Sequence, residues 1–333
     1  MRRLMAALLI LTALSGCQRP VTDGAPAASA PGDTRSDGKI SVVCTIFPQY
    51  DWLRQIIGDN EIELTLLQDG RVDLHSYQPS VDDIIRISAC DLFIYVGGES
   101  DMWVEGVLRQ AANPGMLVIN RLDVLGDAAK TETLVEGMED DDDDDDDDHG
   151  DDHEAEYDEH VWLSLRNAAE FCSVIAGALS SIDTDSAAVY NGNLAAYTER
   201  LSALDAEYKA AADAAPVKTL LFGDRFPFRY LTDDYGLEYY AAFPGCSAET
   251  EASFQTIVFL AGKADELGLK AVMVTESADQ SIARTVIDNT TGKNQRILAL
   301  DSMQSVTPDS INGGVTYLSL MESNLSVLKD ALN

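Results

Sequence analysis

Residues 187–214 read AAVYNGNLAAYTERLSALDAEYKAAADA. Leu194, Tyr197, Leu201, Leu204 and Tyr208 return at steps of three and four, which predicts one helix with a single apolar stripe on an otherwise polar rod. Pro216 closes it, since proline lacks the amide hydrogen that a continuing helix needs. A helix over that range spans about 42 Å. That is longer than one small lobe, so the expectation is a rod shared by two.

Both flanks of the rod support this reading. Upstream, β-rich runs at Ile40–Phe47, Ile62–Leu67, Asp91–Val96 and Met116–Asn120 alternate with helix-like stretches at Tyr50–Ile57, Ser80–Ala89 and Trp103–Ala112. An apolar helix over Trp162–Ser181 then leads into the rod. Downstream, strands at Thr219–Phe222, Tyr239–Phe243, Ala271–Thr275 and Ile297–Leu300 alternate with helices near Phe226–Asp234, Thr250–Leu267 and Asp279–Asn289, and a helix over Val315–Leu332 closes the chain. The expected fold class is α/β, with two α/β lobes joined by a long rigid backbone helix. The N-terminal lobe covers residues 40–185, the linking helix 186–215 and the C-terminal lobe 216–333.

The ends and charge of the chain narrow its setting. Arg2 and Arg3 precede an apolar run from Leu4 to Leu14, too short for a membrane span of about 20 residues, so residues 1–16 read as an export signal. Residues 17–39 are rich in Pro, Ala, Gly, Ser, Asp and Thr and read as a flexible tether. No later stretch reaches membrane-span length. The 57 acids against 23 Lys+Arg give a formal net charge of -34, which excludes a general nucleic-acid binder, because phosphate backbones need a basic face. Half of that charge lies in residues 136–159, where 17 acids, among them nine consecutive aspartates from Asp140 to Asp148, face no Lys or Arg. Like charges so close repel, and a disordered acidic loop is expected there. Cys44, Cys90, Cys172 and Cys246 lie far apart and mostly in apolar runs, which favours buried free thiols over disulfides.

Chemistry-bearing motifs are few. G-x-G-x-x-G, H-E-x-x-H, G-x-S-x-G and C-x-x-C are all absent. The four histidines are His75, His149, His153 and His160. His75 falls between an expected strand and helix, at the kind of strand end where open α/β sheets bind ligands. His160 falls where the acidic segment meets an apolar helix, with acids beside it that favour a cation. Each is equally readable as a solvated loop histidine.

Four segments together resemble the metal-binding solute receptors of zinc and manganese ABC importers. They are ISVVCTIFPQYDWLRQ at 40–55, His75-x-Tyr77-x-Pro79-Ser80, Asp91-Leu92-Phe93-Ile94-Tyr95, and Glu159-His160-Val161-Trp162-Leu163-Ser164. The resemblance runs in matching order over about residues 40 to 330. It implies a binding protein and not an enzyme, with one metal ion held in the cleft between the lobes and passed to an ABC permease. It also implies a monomer outside the cytoplasm. Leu14-Ser15-Gly16-Cys17 resembles the lipobox of bacterial lipoproteins, which implies a lipid on Cys17 and a membrane anchor. His75 and His160 match the family's first two ligands, and Asp301 matches the aspartate that closes the site from the C-terminal lobe. The family's third ligand, a His or Glu, falls here on Gly223, which has no donor atom. Asp224, Glu276 or water is left to fill that position, with the thiol of Cys246 a further candidate.

Two imidazoles with one or two carboxylates suit four-coordinate Zn²⁺ and also admit Mn²⁺ at higher coordination. Losing the third histidine weakens the case for zinc, and the acidic loop strengthens it, because such loops in the family resemble those of zinc receptors. His149 and His153 are expected to give the loop weak metal binding of its own. Two rival readings use the same residues. One is a zinc-dependent hydrolase with His75, His160 and Asp301 as ligands and Glu276 as base. The other is a calcium-binding or adhesive surface protein built around the acidic tract. Deleting residues 139–156 is expected to leave one tight binding event in zinc calorimetry and to remove weaker ones.

Overall fold

The structure is a computed structural model that describes residues 39–70, 74–138, 156–247 and 251–333. The expected export signal, all of the tether but Lys39, Cys17, His149, His153 and the run of aspartates lie outside those residues. Two four-stranded sheets are present, and every strand pair in both is parallel. In the first, β1 (Ile40–Cys44), β2 (Ile62–Leu66), β3 (Leu92–Tyr95) and β4 (Leu117–Asn120) lie in the order β2-β1-β3-β4. In the second, β5 (Thr219–Phe226), β6 (Glu238–Pro244), β7 (Ala271–Thr275) and β8 (Arg296–Leu300) repeat that order as β6-β5-β7-β8.

Parallel neighbours need crossovers, and helices supply them. In the first half these are α1 (Phe47–Ile57), α2 (Val81–Ala89) and α3 (Trp103–Leu108), followed by the short α4 (Arg121–Leu125) and by α5 (Leu165–Ile182). The linking helix α6 (Ala187–Ala214) has the expected length and buries Tyr197, Leu201, Leu204 and Tyr208 of its stripe. In the second half the crossovers are α7 (Arg229–Tyr235), α8 (Phe254–Leu267) and α9 (Ser281–Asn289), and α10 (Pro308–Asn312) and α11 (Tyr317–Ala331) close the chain. α11 packs against β8 and also against α1 and α6, so the last helix returns to the first half. No helix among the described residues is long and apolar enough to cross a membrane. Cys44, Cys90, Cys172 and Cys246 are all free.

Three local differences from the sequence reading bear on function. β5 runs on to Phe226 instead of stopping at Phe222, and its register with β6 slips by one residue between Phe222 and Arg225. That slip is a β-bulge, which re-aims the side chains inside it. The aromatic stack of Phe226 on Tyr239, with ring centroids 3.6 Å apart, holds the extended part of the strand. The helix expected from Trp162 starts at Leu165, because Ser164 caps it by accepting from the amide of Asn167. Val161–Leu163 form a tight turn instead. Lastly, the acidic segment expected to be disordered over 136–159 is ordered at its described C-terminal end. Glu132 N–H donates to Glu156 O and Asp158 N–H to Lys130 O, and Asp158 and Glu159 are buried.

The two halves meet along a hydrogen-bonded seam. The Tyr230 hydroxyl accepts from Lys130 N–H at 2.8 Å and donates to Asp158 O at 3.2 Å. Ser164 Oγ donates to Asp234 Oδ2 at 2.6 Å, and the indole of Trp162 donates to Ser302 O at 2.9 Å. Tyr317 secures the same turn by donating its hydroxyl to Trp162 O at 2.7 Å. Trp162→Phe keeps a ring in the core but strands the Ser302 carbonyl, whose residue is buried. The expected loss is about 1–3 kcal/mol, read from urea denaturation; unchanged stability would show that the seam does not depend on this bond.

Candidate metal centre

His75 enters the site from a tight turn at Leu74–Ser76, directly before α2. Buried Leu74 anchors the turn below, and Ser80 with Asp83 forms a reciprocal cap at the start of α2. The ring is aimed through its Nδ1, which lies 2.8 Å from Ser100 Oγ and 3.6 Å from Glu159 Oε2. Glu159 is itself held, since its Oε1 accepts from Ser100 N–H at 2.9 Å. Gly98, in the left-handed region at φ +79°, makes this approach possible, because a Cβ there would collide with the Glu159 carboxylate.

His160 is fully buried. Asp158 Oδ1 accepts from its backbone N–H at 2.8 Å and lies 3.0 Å from its Nδ1. Placing the proton on Nδ1 turns the lone pair of Nε2 outward, and that atom is buried without a hydrogen-bond partner. The two imidazole centroids are 5.5 Å apart. The third group comes from the second half. β6 ends at Pro244, and Gly245 passes so close to His160 that a Cβ would lie 3.1 Å from its Cε1. Cys246 follows, with its N–H donating to Glu132 Oε1 at 2.9 Å. One donor atom each from His75, His160 and Cys246 lie within 4.8 Å of one another. A cavity of about 490 Å³ opens beside them, lined also by Gly223, Asp224, Arg225 and Gln280.

The expected carboxylates are directed elsewhere. The bulge in β5 turns Asp224 towards β7, where its Oδ2 accepts from Thr275 N–H at 2.7 Å and Thr275 Oγ1 at 2.6 Å. Glu276 accepts from Ser302 N–H at 2.8 Å and from its hydroxyl at 3.0 Å. Asp301 Oδ1 accepts from Met303 N–H at 2.7 Å, which supports the left-handed backbone at Met303 (φ 66°). None of the three belongs to the cluster. Nor does position 223 have room for a ligand, since a Cβ on Gly223 would lie 2.6 Å from the Cα of Ala283 in α9. The sequence marks Cys246 as a further candidate and the acids beside His160 as favouring a cation, whereas nothing in it singles out Glu132. The one local signal was an acid two residues before His160, the spacing at which a side chain reaches back to a backbone amide.

The electrostatics are those of a pocket short of positive charge. Burial raises Glu159 to about 7, against the hydrogen bonds from Ser100. Burial also raises Glu132 and pushes the Cys246 thiol well above its usual value, with Glu132, Asp158 and Glu159 adding to the effect on the thiol. At His160 burial opposes the charged form, but Asp158, Glu159 and Glu132 outweigh it and the pKa rises. Protons therefore compensate a surplus of acids in a low-dielectric place, and a divalent cation would displace them.

Similarity to known proteins is consistent with this geometry. The sequence profile of the family described as "ZnuA: Zinc-uptake complex component A periplasmic" matches residues 42–331. The zinc-binding lipoprotein AdcA of Streptococcus pneumoniae is 30% identical over 295 residues, 89% of this chain but 56% of AdcA, so the chain spans little more than half of that relative. The high-affinity zinc uptake system protein ZnuA of Bacillus subtilis is 29% identical over 306 residues, 92% of each chain. The crystal structure of the Zn(II)-bound ZnuA-like domain of S. pneumoniae AdcA superposes with a TM-score of 0.67 at 27% identity, covering 89% of this chain and 99% of that one.

Asp158→Asn keeps the size of the side chain but loses the carboxylate that orients His160. Affinity for a divalent ion is expected to fall on the order of 10–100-fold in a chelator competition titration. An unchanged affinity would remove Asp158 from this role.

Proposed function

The chain belongs to the ZnuA family of periplasmic zinc-uptake components, and on that premise we propose that it is an extracytoplasmic receptor that captures Zn²⁺ and delivers it to an ABC permease. The observation that carries this reading is the convergence of His75, His160 and Cys246, with the buried Nε2 of His160 free of any hydrogen bond. Two neutral imidazoles and a thiolate suit Zn²⁺, which takes nitrogen and sulfur donors in tetrahedral sites. Asp158 acts on His160 in the way that carboxylates orient metal-bound imidazoles. The protein binds and releases its cargo without a covalent step.

Its setting follows from the same premise. The family description is periplasmic and the AdcA relative is described as a lipoprotein. Arg2 to Leu14 has the form of an export signal, and Leu14 to Cys17 that of a lipobox. A lipid on Cys17 would hold the receptor at the membrane, with residues 17–39 as tether. Release of the ion requires either parting the two halves or protonating the donors, since imidazole and thiol bind metal only without their protons.

Metal analysis of the purified chain followed by Zn²⁺ titration tests the reading. Wild type is expected to bind one ion tightly and His75→Ala to bind it far more weakly, and equal affinities would sink the site. The pH dependence has a definite sign. His160 and Cys246 have raised pKa values, so each keeps its proton to higher pH, and the ion must displace it. Affinity should therefore rise with pH. Calorimetry in buffers of different ionisation enthalpy should record net proton release at neutral pH, and its absence would show that these two groups are not the ligands.

A further inference from the structure

Three features of the cleft select which donors can reach an ion. Gly223 admits no side chain, because α9 packs directly on it. Oδ2 of Asp224 accepts twice from Thr275, and both carboxylate oxygens of Glu276 accept from Ser302, all within their own half. The turn carrying Cys246 is pinned from several sides. Its amide is held by Glu132, the carbonyl of Ser247 accepts from Arg225 Nη1 at 3.2 Å, and Gly245 lies against the ring of His160. The converging cluster is two imidazoles and one sulfur, while the adjoining carboxylates of Asp158 and Glu159 contact the Nδ1 atoms of the two rings.

We propose that Cys246 is the specificity-determining ligand of this receptor, making the site one for thiophilic ions such as Zn²⁺ and Cd²⁺ and excluding Mn²⁺. The inference rests on the receptor reading above and adds the class of ion. Thiolate ligands favour zinc and softer ions, whereas Mn²⁺ prefers carboxylate, carbonyl and water at higher coordination and lies lowest in divalent affinity. Three donors would leave one tetrahedral position for a solvent ligand, and a cavity adjoins His75 and Cys246. A cleft with carboxylates in place of the sulfur would lose this discrimination. Cys246 thus takes over the role that a side chain at position 223 cannot have here.

Co²⁺ makes the sulfur visible. The full-length chain is loaded with Co²⁺, and the near-ultraviolet thiolate-to-cobalt charge-transfer band is recorded beside the visible bands of tetrahedral cobalt. Wild type is expected to show both, and Zn²⁺ should remove both. Cys246→Ser should bind Co²⁺ without the charge-transfer band, which also discounts the thiols of Cys17, Cys44, Cys90 and Cys172. In Cys246→Asp the preference for Zn²⁺ over Mn²⁺, measured by competition, should narrow roughly tenfold or more. Visible cobalt bands without charge transfer in wild type would overturn the assignment while leaving the receptor reading intact, and need no variant to fold. Retention of the wild-type preference in Cys246→Asp would overturn it too. A wild-type chain that binds neither Co²⁺ nor Zn²⁺ would overturn both readings.

Discussion

Asp158 is the residue on which the site and the seam both depend. Its N–H reaches Lys130, its carbonyl accepts from Tyr230 of the second half, and its carboxylate holds His160 by backbone and ring. A buried carboxylate costs several kcal/mol unless charges or hydrogen bonds satisfy it. Here it is satisfied by the imidazole and amide of His160. The same residue thus fixes the path of the chain between the halves and the direction of the Nε2 lone pair of that ring. Removing it would loosen the ring and the seam together.

Much of the architecture was legible because it rests on periodicity. The stripe from Leu194 to Tyr208 and the strand–helix alternation on each side repeat one local rule many times, and such patterns survive tertiary context. His75 and His160 were legible because both lie at ends of elements and because their flanking residues resemble a family. The third member of the cluster was legible only as one candidate among several. Gly223 and Asp224 read as a turn after a strand, and no pattern in the sequence announces a bulge that continues the strand and points Asp224 at Thr275. Cys246 depends on a glycine that lets β6 end against an imidazole 85 positions earlier in the chain, a contact that only the folded chain creates.

The acidic excess of the sequence has two physical characters. Asp158 and Glu159 belong by composition to the acid-rich segment, yet burial separates them from it: they face histidines in a low-dielectric pocket, where a charge counts for far more than in water. Net charge could not distinguish these two acids from their neighbours.

In the proposed site the donors are divided unequally, two imidazoles on the first half and one sulfur on the second. Parting the halves therefore lowers the denticity of the site stepwise. On the proposed site the sulfur would leave first, with His75 and His160 still on one half. The lifetime of a bound ion would then depend on how often the seam opens. The bond from Trp162 to Ser302, two residues beyond His160, would bear on a dissociation rate as well as on a folding energy.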